Sequence, residues 1–239
     1  MKYELSSDGS CPLALISLGM GEQVRIERGS MVFHNGKVKL EGHMNQNGSG
    51  MLGGIIKAAA RSVVSGESFF VTTATGTAND GLLAISSGSI GNIKALEVGA
   101  STWRLNDGAF LACDGSVTYS MKSQSIGRAL FGGTGGLFVM ETAGTGTLLV
   151  SGFGEIVELE LDGNDTLVVD NLHVVAWENT LSYDLKIASG IFGFTTGEGI
   201  VNEFSGRGKL LVQSKNIKEF AETLAPYLVK YISQQKSKS

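Results

Sequence analysis

The chain has 239 residues, 34 of them Gly and 2 Pro, with a formal net charge of −4 and an isoelectric point near 5.4. The acidic balance argues against a nucleic-acid partner, which needs a concentrated cationic surface. Two cysteines are too few for a disulfide framework, no signal peptide is read ahead of them, and no run approaches the roughly 20 apolar residues that span a bilayer. A reducing cytoplasm is the expected compartment. Many Ser, Thr and Val with glycine turns fit short strands better than helices, so the expected class is all-β.

Residues 13–27, LALISLGMGEQVRIE, alternate around Gly19 and Gly21 and predict two strands. GSMVFHNGKVKLE then reads as a hairpin about Asn35-Gly36. A glycine-rich connector follows, MLGGIIKAAARSVVSG, and FFVTTATGTANDGLLAIS reads as a second hairpin. The same succession returns with the lead-in GNIKALEVGASTWRLND, the hairpin GAFLACDGSVTYSM about Asp114-Gly115, the connector IGRALFGGTGG and the closing LFVMETAGTGTLLVS. It returns again as GEIVELELDGNDTLVVDN, LHVVAWENTLSYDL about Glu178-Asn179, SGIFGFTTGEG and GIVNEFSGRGKLLVQS. Aligned without gaps, Met31, Phe110 and Val174 coincide, as do Val38, Val117 and Leu181 in the strands that follow.

The expected fold is therefore three tandem antiparallel β-sandwich-like units, over residues 1–87, 88–152 and 153–215, in one integrated body. Asn-Gly and Asp-Gly accept the positive φ of a type I′ turn and Glu178 does not, so the third hairpin is expected to turn differently. Residues 216–239 form a C-terminal helix and tail. Ile217, Phe220, Ala221, Leu224, Leu228, Tyr231 and Ile232 recur at helical spacing, Asn216 and Glu219 resemble a capping box, and Pro226 is expected to kink or divide the helix after Ala225.

His34, His43, His173 and Cys113 are the candidates for metal ligation or nucleophilic catalysis. The alignment sets His34, Cys113 and Trp177 at one position, where bulk is shared and ligand chemistry is not, so a packing role is expected. His173 lies between apolar residues and reads as a structural histidine in a strand. Glu158, Glu160 and Asp162 alternate with Leu159 and Leu161 and read as a solvated, edge-protecting face. Gly144-Thr145-Gly146 and Gly206-Arg207-Gly208 lie between strands, whereas phosphate-binding loops open a helix. Trp103 and Trp177 are expected in the core. No catalytic, metal or cofactor site is expected. In the first connector Lys57 and Arg61 stack at i and i+4 opposite an apolar face, and Arg128 falls in the second; these three are the candidate contacts for a membrane or a protein partner.

Gly29-Ser30-Met31-Val32 after Glu27, Gly66-Glu67-Ser68-Phe69-Phe70, Ala109-Phe110-Leu111-Ala112, Val169-Asp170-Asn171 with His173 and Ala176, and Gly206, Gly208 and Gln213 resemble the altered inheritance of mitochondria protein twenty-four family. The resemblance spans nearly the whole chain. It implies three repeats, each like the subunit of the tryptophan RNA-binding attenuation protein, in a homotrimer with no established enzymatic activity. Its mitochondrial members are linked to inner-membrane organisation. Ser87-Gly88 stands where Pro-Gly is usual, and Gly206-Arg207-Gly208 where Pro commonly follows the first Gly, so looser turns are expected there. The expected function is a non-enzymatic oligomeric scaffold or membrane-associated assembly factor, cytoplasmic or peripheral at a membrane. The alternative is a small-ligand-binding module with sites between repeats or subunits.

Overall fold

β-branched and alternating runs, most of them separated by glycine-containing turns, form nineteen strands among the described residues. The computed structural model describes residues 1–44, 70–123, 138–187 and 199–236. After β1 (Lys2–Leu5) come β2 (Ala14–Leu18), β3 (Gln23–Glu27), β4 (Met31–His34), β5 (Val38–Met44), β6 (Phe70–Gly76) and β7 (Gly81–Ile85). Next are β8 (Ile93–Val98), β9 (Trp103–Leu105), β10 (Phe110–Asp114), β11 (Val117–Ser123), β12 (Phe138–Gly144) and β13 (Gly146–Ser151). The last set is β14 (Ile156–Asp162), β15 (Leu167–Asp170), β16 (Val174–Glu178), β17 (Ser182–Ile187), β18 (Ile200–Ser205) and β19 (Arg207–Gln213), with a 3₁₀ turn over Asn171–His173. Helix α1 spans Ile217–Lys236.

One pairing order serves all three sets. β4 pairs with β7 and β7 with β2, while β3 pairs with β6 and β6 with β5; strands β8 to β13 and β14 to β19 pair in the same order. Each set thus contributes two three-stranded arrays. Arrays from successive sets then merge, because β3 pairs with β10 and β9 pairs with β16. The result is two six-stranded sheets flanked by the four-stranded sheet β1-β2-β7-β4 and the three-stranded sheet β15-β18-β17. In each set the third strand slips register against the sixth, between Met31 and Phe33, Phe110 and Ala112, and Val174 and Ala176. Three apolar cores lie between successive sheets. One gathers Ile16, Leu18, Ile26, Leu83 and Leu149; the next Trp103, Leu105, Phe110, Leu148 and Leu211; the third Val174, Trp177, Phe204 and Leu210.

The hairpins expected from the sequence are replaced by corners. β4 and β5 do not pair, nor do β10 and β11 or β16 and β17; the same is true of β2 with β3 and β6 with β7. Each turn carries the chain from one sheet to the facing sheet, and except at β4, whose side chains are exposed, the strands on either side direct apolar side chains into the cores. The strands adjacent in sequence that do pair are β1 with β2 and those on either side of the connectors, β5 with β6, β11 with β12 and β17 with β18. The turns also depart from type I′. Gly36 has φ +81°, but Gly115 keeps an ordinary φ, and a Cβ on it would stand 2.9 Å from the Gln23 carbonyl oxygen. Glycine at 115 therefore serves the close approach of β3 rather than the hand of the turn. Pro226 does not divide α1, which is assigned as helix from Ile217 to Lys236.

The linkers between sets run beside one another in a parallel bridge, Gly91 to Gly154. A Cβ on Gly91 would collide with the Gly152 carbonyl oxygen and the Gly154 backbone, whereas Gly88 has nothing within 4 Å. Gly91→Ala should therefore cost about 1–3 kcal/mol in urea denaturation. Gly88→Ala should stay within about 0.5 kcal/mol.

Candidate functional site

The most unequal feature of the three sets is their third strand. Phe110 to Cys113 of β10 and Val174 to Trp177 of β16 are all buried, because β3 and β9 cover their outer edges. Among the described residues nothing pairs with the outer edge of β4, and Met31, Val32, Phe33 and His34 are all exposed, Val32 to 50% and Phe33 to 44%. The second strands show the converse. β3 and β9 are paired on both sides, but β15 pairs with β18 alone and leaves Val168 56% exposed.

The two joints inside the chain show how such edges close. Arg25 on β3 stands opposite Cys113, and its Nη1 donates to the carbonyl oxygens of Gly115 at 3.0 Å and Val117 at 2.6 Å. Arg104 on β9 stands opposite Trp177; its Nε donates to Glu141 Oε2 at 3.0 Å and its guanidinium lies 5.8 Å from the centre of the Tyr183 ring. Asn106 adds backbone N–H to Val175 O at 2.9 Å and side-chain Nδ2–H to Asn171 O at 2.8 Å. Burial acts on titratable groups here. It raises the Glu27 carboxyl, with Asp107 adding to the rise, and pushes the Cys113 thiol up to about 12 against the pull of Arg25.

Each candidate residue from the sequence has a definite place. His34 ends β4, where its Nδ1 accepts from the Gly36 N–H at 3.0 Å. His43 lies on β5 opposite Val71. His173 closes the 3₁₀ turn instead of sitting in a strand, because the Asp170 carboxylate accepts from Leu172 N–H and turns the chain there. Its Nδ1 is 2.7 Å from Gln213 O and its Nε2 2.9 Å from Asn216 Nδ2. Those partners assign a neutral ring that donates through Nδ1 and accepts at Nε2. Asn216 Oδ1 in turn caps α1 by accepting from Glu219 N–H at 2.9 Å. Trp103 and Trp177 are buried, and Trp103 Nε1 donates to Glu97 O at 3.0 Å.

Glu158 is less solvated in role than the alternation suggests. It accepts from Lys209 at 2.8 Å and Lys94 at 2.9 Å, and these hydrogen bonds hold its carboxyl below the usual range. Among the described residues no three His, Cys, Asp or Glu side chains group to hold a metal ion. A shallow cleft, open to solvent, lies beside Leu105, Phe110, Met121 and Met140, with far less enclosed space than a small-molecule pocket. Lys57, Arg61 and Arg128 lie outside the described residues. No helix among the described residues is long and apolar enough to cross a membrane. Sequence reasoning overlooked the two arginine clamps and the open edges, although the gap-free alignment that matches Met31 with Phe110 and Val174 also sets Arg25, Arg104 and Val168 at one position.

Antiparallel sheets packed one on the next define an all-β protein in which β4 and β15 are sheet edges among the described residues while their counterparts are paired on both sides. The chain belongs to the family described as mitochondrial biogenesis AIM24, whose model matches residues 3–215. It is 48% identical over 229 residues to an uncharacterised protein of Streptococcus pyogenes serotype M6, covering 95% of this chain and 91% of that protein. It is also similar to the X-ray structure of a Streptococcus pyogenes protein, with a TM-score of 0.77 at 44% identity over 95% of this chain and 99% of the other.

Cys11 is exposed and Cys113 buried. With the Cys113 thiol held near 12, a thiol reagent at neutral pH should label the folded chain at Cys11 alone, and at Cys113 after denaturation; mass spectrometry of the two digests reads the difference.

Proposed function

We propose that the chain is a non-enzymatic scaffold that assembles head to tail with copies of itself, three chains closing into a ring. The supporting observation is the contrast between exposed β4 and its buried counterparts β10 and β16. An uncovered apolar strand edge is an aggregation liability unless something pairs with it. β15 is the matching edge, since its counterparts β3 and β9 are what cover β10 and β16. Two different edges make the contact heterologous, and a heterologous contact forms a filament unless rotation closes it. Three is the number that the family resemblance implies. Size exclusion with light scattering should give three times the 25.1 kDa chain mass, and a monomer would overturn the reading.

The scaffold reading extends to a membrane surface. The connectors at 45–69, 124–137 and 188–198 join β5 to β6, β11 to β12 and β17 to β18, and the antiparallel order puts their attachment points at the end of the sheets from which α1 departs after β19. Ile217, Leu224 and Leu228 of α1 are exposed, and the connector sequences contain Lys57, Arg61 and Arg128. In a ring these charges repeat, so weak attractions to anionic headgroups add. Wild-type protein should float with phosphatidylserine vesicles at low salt, and a Lys57→Glu, Arg61→Glu variant should not. Failure of the wild type to float would remove the membrane role and leave the oligomeric scaffold.

A further inference from the structure

We propose that β15 receives β4 of a second copy in the register of the internal joints, with Val169 opposite Phe33, Val168 opposite His34 and Leu167 opposite Asn35. This rests on the self-assembly reading and adds to it the residue pairing and the chemistry of the contact. In the internal joints Ile26 faces Ala112 and Arg25 faces Cys113, while Leu105 faces Ala176 and Arg104 faces Trp177. The gap-free alignment puts Val169 with Ile26 and Leu105, and Phe33 with Ala112 and Ala176. Each half of the new pair is therefore placed by two precedents.

The side chains at this contact differ from those precedents in a consistent direction. Ala112 lies in the core of the preceding set with Val24 and Ile26, and Ala176 likewise with Trp103 and Leu105. Phe33 replaces these alanines with a large apolar group that is 44% exposed among the described residues. Across the joint it falls beside Val169 and Leu167, which are partly buried against the core holding Phe204 and Leu210. An aromatic entering an apolar site of this kind is a typical interface anchor. The arginine of the internal joints is replaced by Val168. Glu203 stands opposite Val168 as Glu141 stands opposite Arg104, but pairs with Lys186 at 2.7 Å instead. The contact between chains thus has an aromatic anchor and no guanidinium clamp on the turn carbonyls, so it separates without unfolding either partner.

Backbone geometry supplies the test. Gly115 N–H donates to Gln23 O and Asn106 N–H to Val175 O, which makes Arg25–Cys113 and Arg104–Trp177 hydrogen-bonded pairs and leaves Ile26–Ala112 and Leu105–Ala176 as the closer, non-hydrogen-bonded kind. Phe33 and Val169 should likewise approach to about 4.5 Å between Cα atoms, within disulfide range. In a Cys11→Ser background, a Phe33→Cys, Val169→Cys protein should oxidise to covalent dimers and trimers on non-reducing gels, and a Met31→Cys, Val169→Cys protein, two residues out of register, should not. Val168→Arg, which restores the clamp with Glu203 at hand, should lower the subunit dissociation constant about tenfold. An oligomeric wild type whose matched pair fails to link, or whose Val168→Arg variant dissociates, overturns the register and leaves self-assembly standing. A monomeric wild type overturns both.

Discussion

A β-strand has hydrogen-bonding groups along both edges, and β3 and β9, the second strands of the first two sets, each find one of their two neighbours only in the set that follows. β3 would be an open edge without β10, and β9 without β16. The sheets are therefore shared property of adjacent sets, and the cores, which lie between sheets, draw on more than one set as well. The middle core takes Val71 from the first set and Val175 and Leu211 from the third. No set could be excised without exposing both an edge and half a core. The same rule leaves the chain with one unmatched third strand and one unmatched second strand, β4 and β15.

Sharing also explains the sequence pattern of the inner strands. Leu148 and Leu149 are neighbours on β13 that face opposite sides, and both are fully buried, Leu148 in the middle core and Leu149 in the first. Leu210 and Leu211 of β19 repeat this between the third and middle cores. A sheet covered on both faces needs apolar residues at every position, so alternation disappears there. It persists where one side meets solvent, as at Glu158, Glu160 and Asp162 on β14, the last strand of its sheet.

The all-β class was legible because its signals are local: glycine turns and alternation. Pairing was not legible. A corner between facing sheets and a hairpin within one sheet both ask for two short strands and a glycine, as Asp114-Gly115 illustrates; which of them forms depends on partners such as β13 and β3 that lie far along the chain. The true sequential pairs, β5 with β6 and its counterparts, hid behind connectors too long to read as turns. His173 was misplaced in a strand because the short Asp170 turn that holds it resembles a strand end in composition. The open edge at β4 was hidden too, since Met-Val-Phe-His reads like its buried counterparts, and exposure depends on strand pairing that no local pattern reports.

The composition of the strand edges separates two kinds. β1 carries Lys2 and Glu4, β5 carries Lys39 and Glu41, β8 carries Lys94 and Glu97, β11 carries Lys122, β14 carries Glu158, Glu160 and Asp162, and β17 carries Asp184 and Lys186. Charges at such positions blunt an edge, because pairing would force them together or strip their water. Several are matched locally, as in Lys39 with Glu41 at 2.9 Å and Lys186 with Glu203 at 2.7 Å, which further occupies the edge. β4 is Met-Val-Phe-His and β15 is Leu-Val-Val-Asp, and the carboxylate that ends β15 is taken by the Leu172 N–H. The two edges with no charged residue except the Asp170 that ends β15 are the two whose counterparts inside the chain are paired on both sides. A protein selected to remain a monomer would have the same reason to place lysine or glutamate there as on its other edges, and their absence is what the proposed pairing with another copy requires.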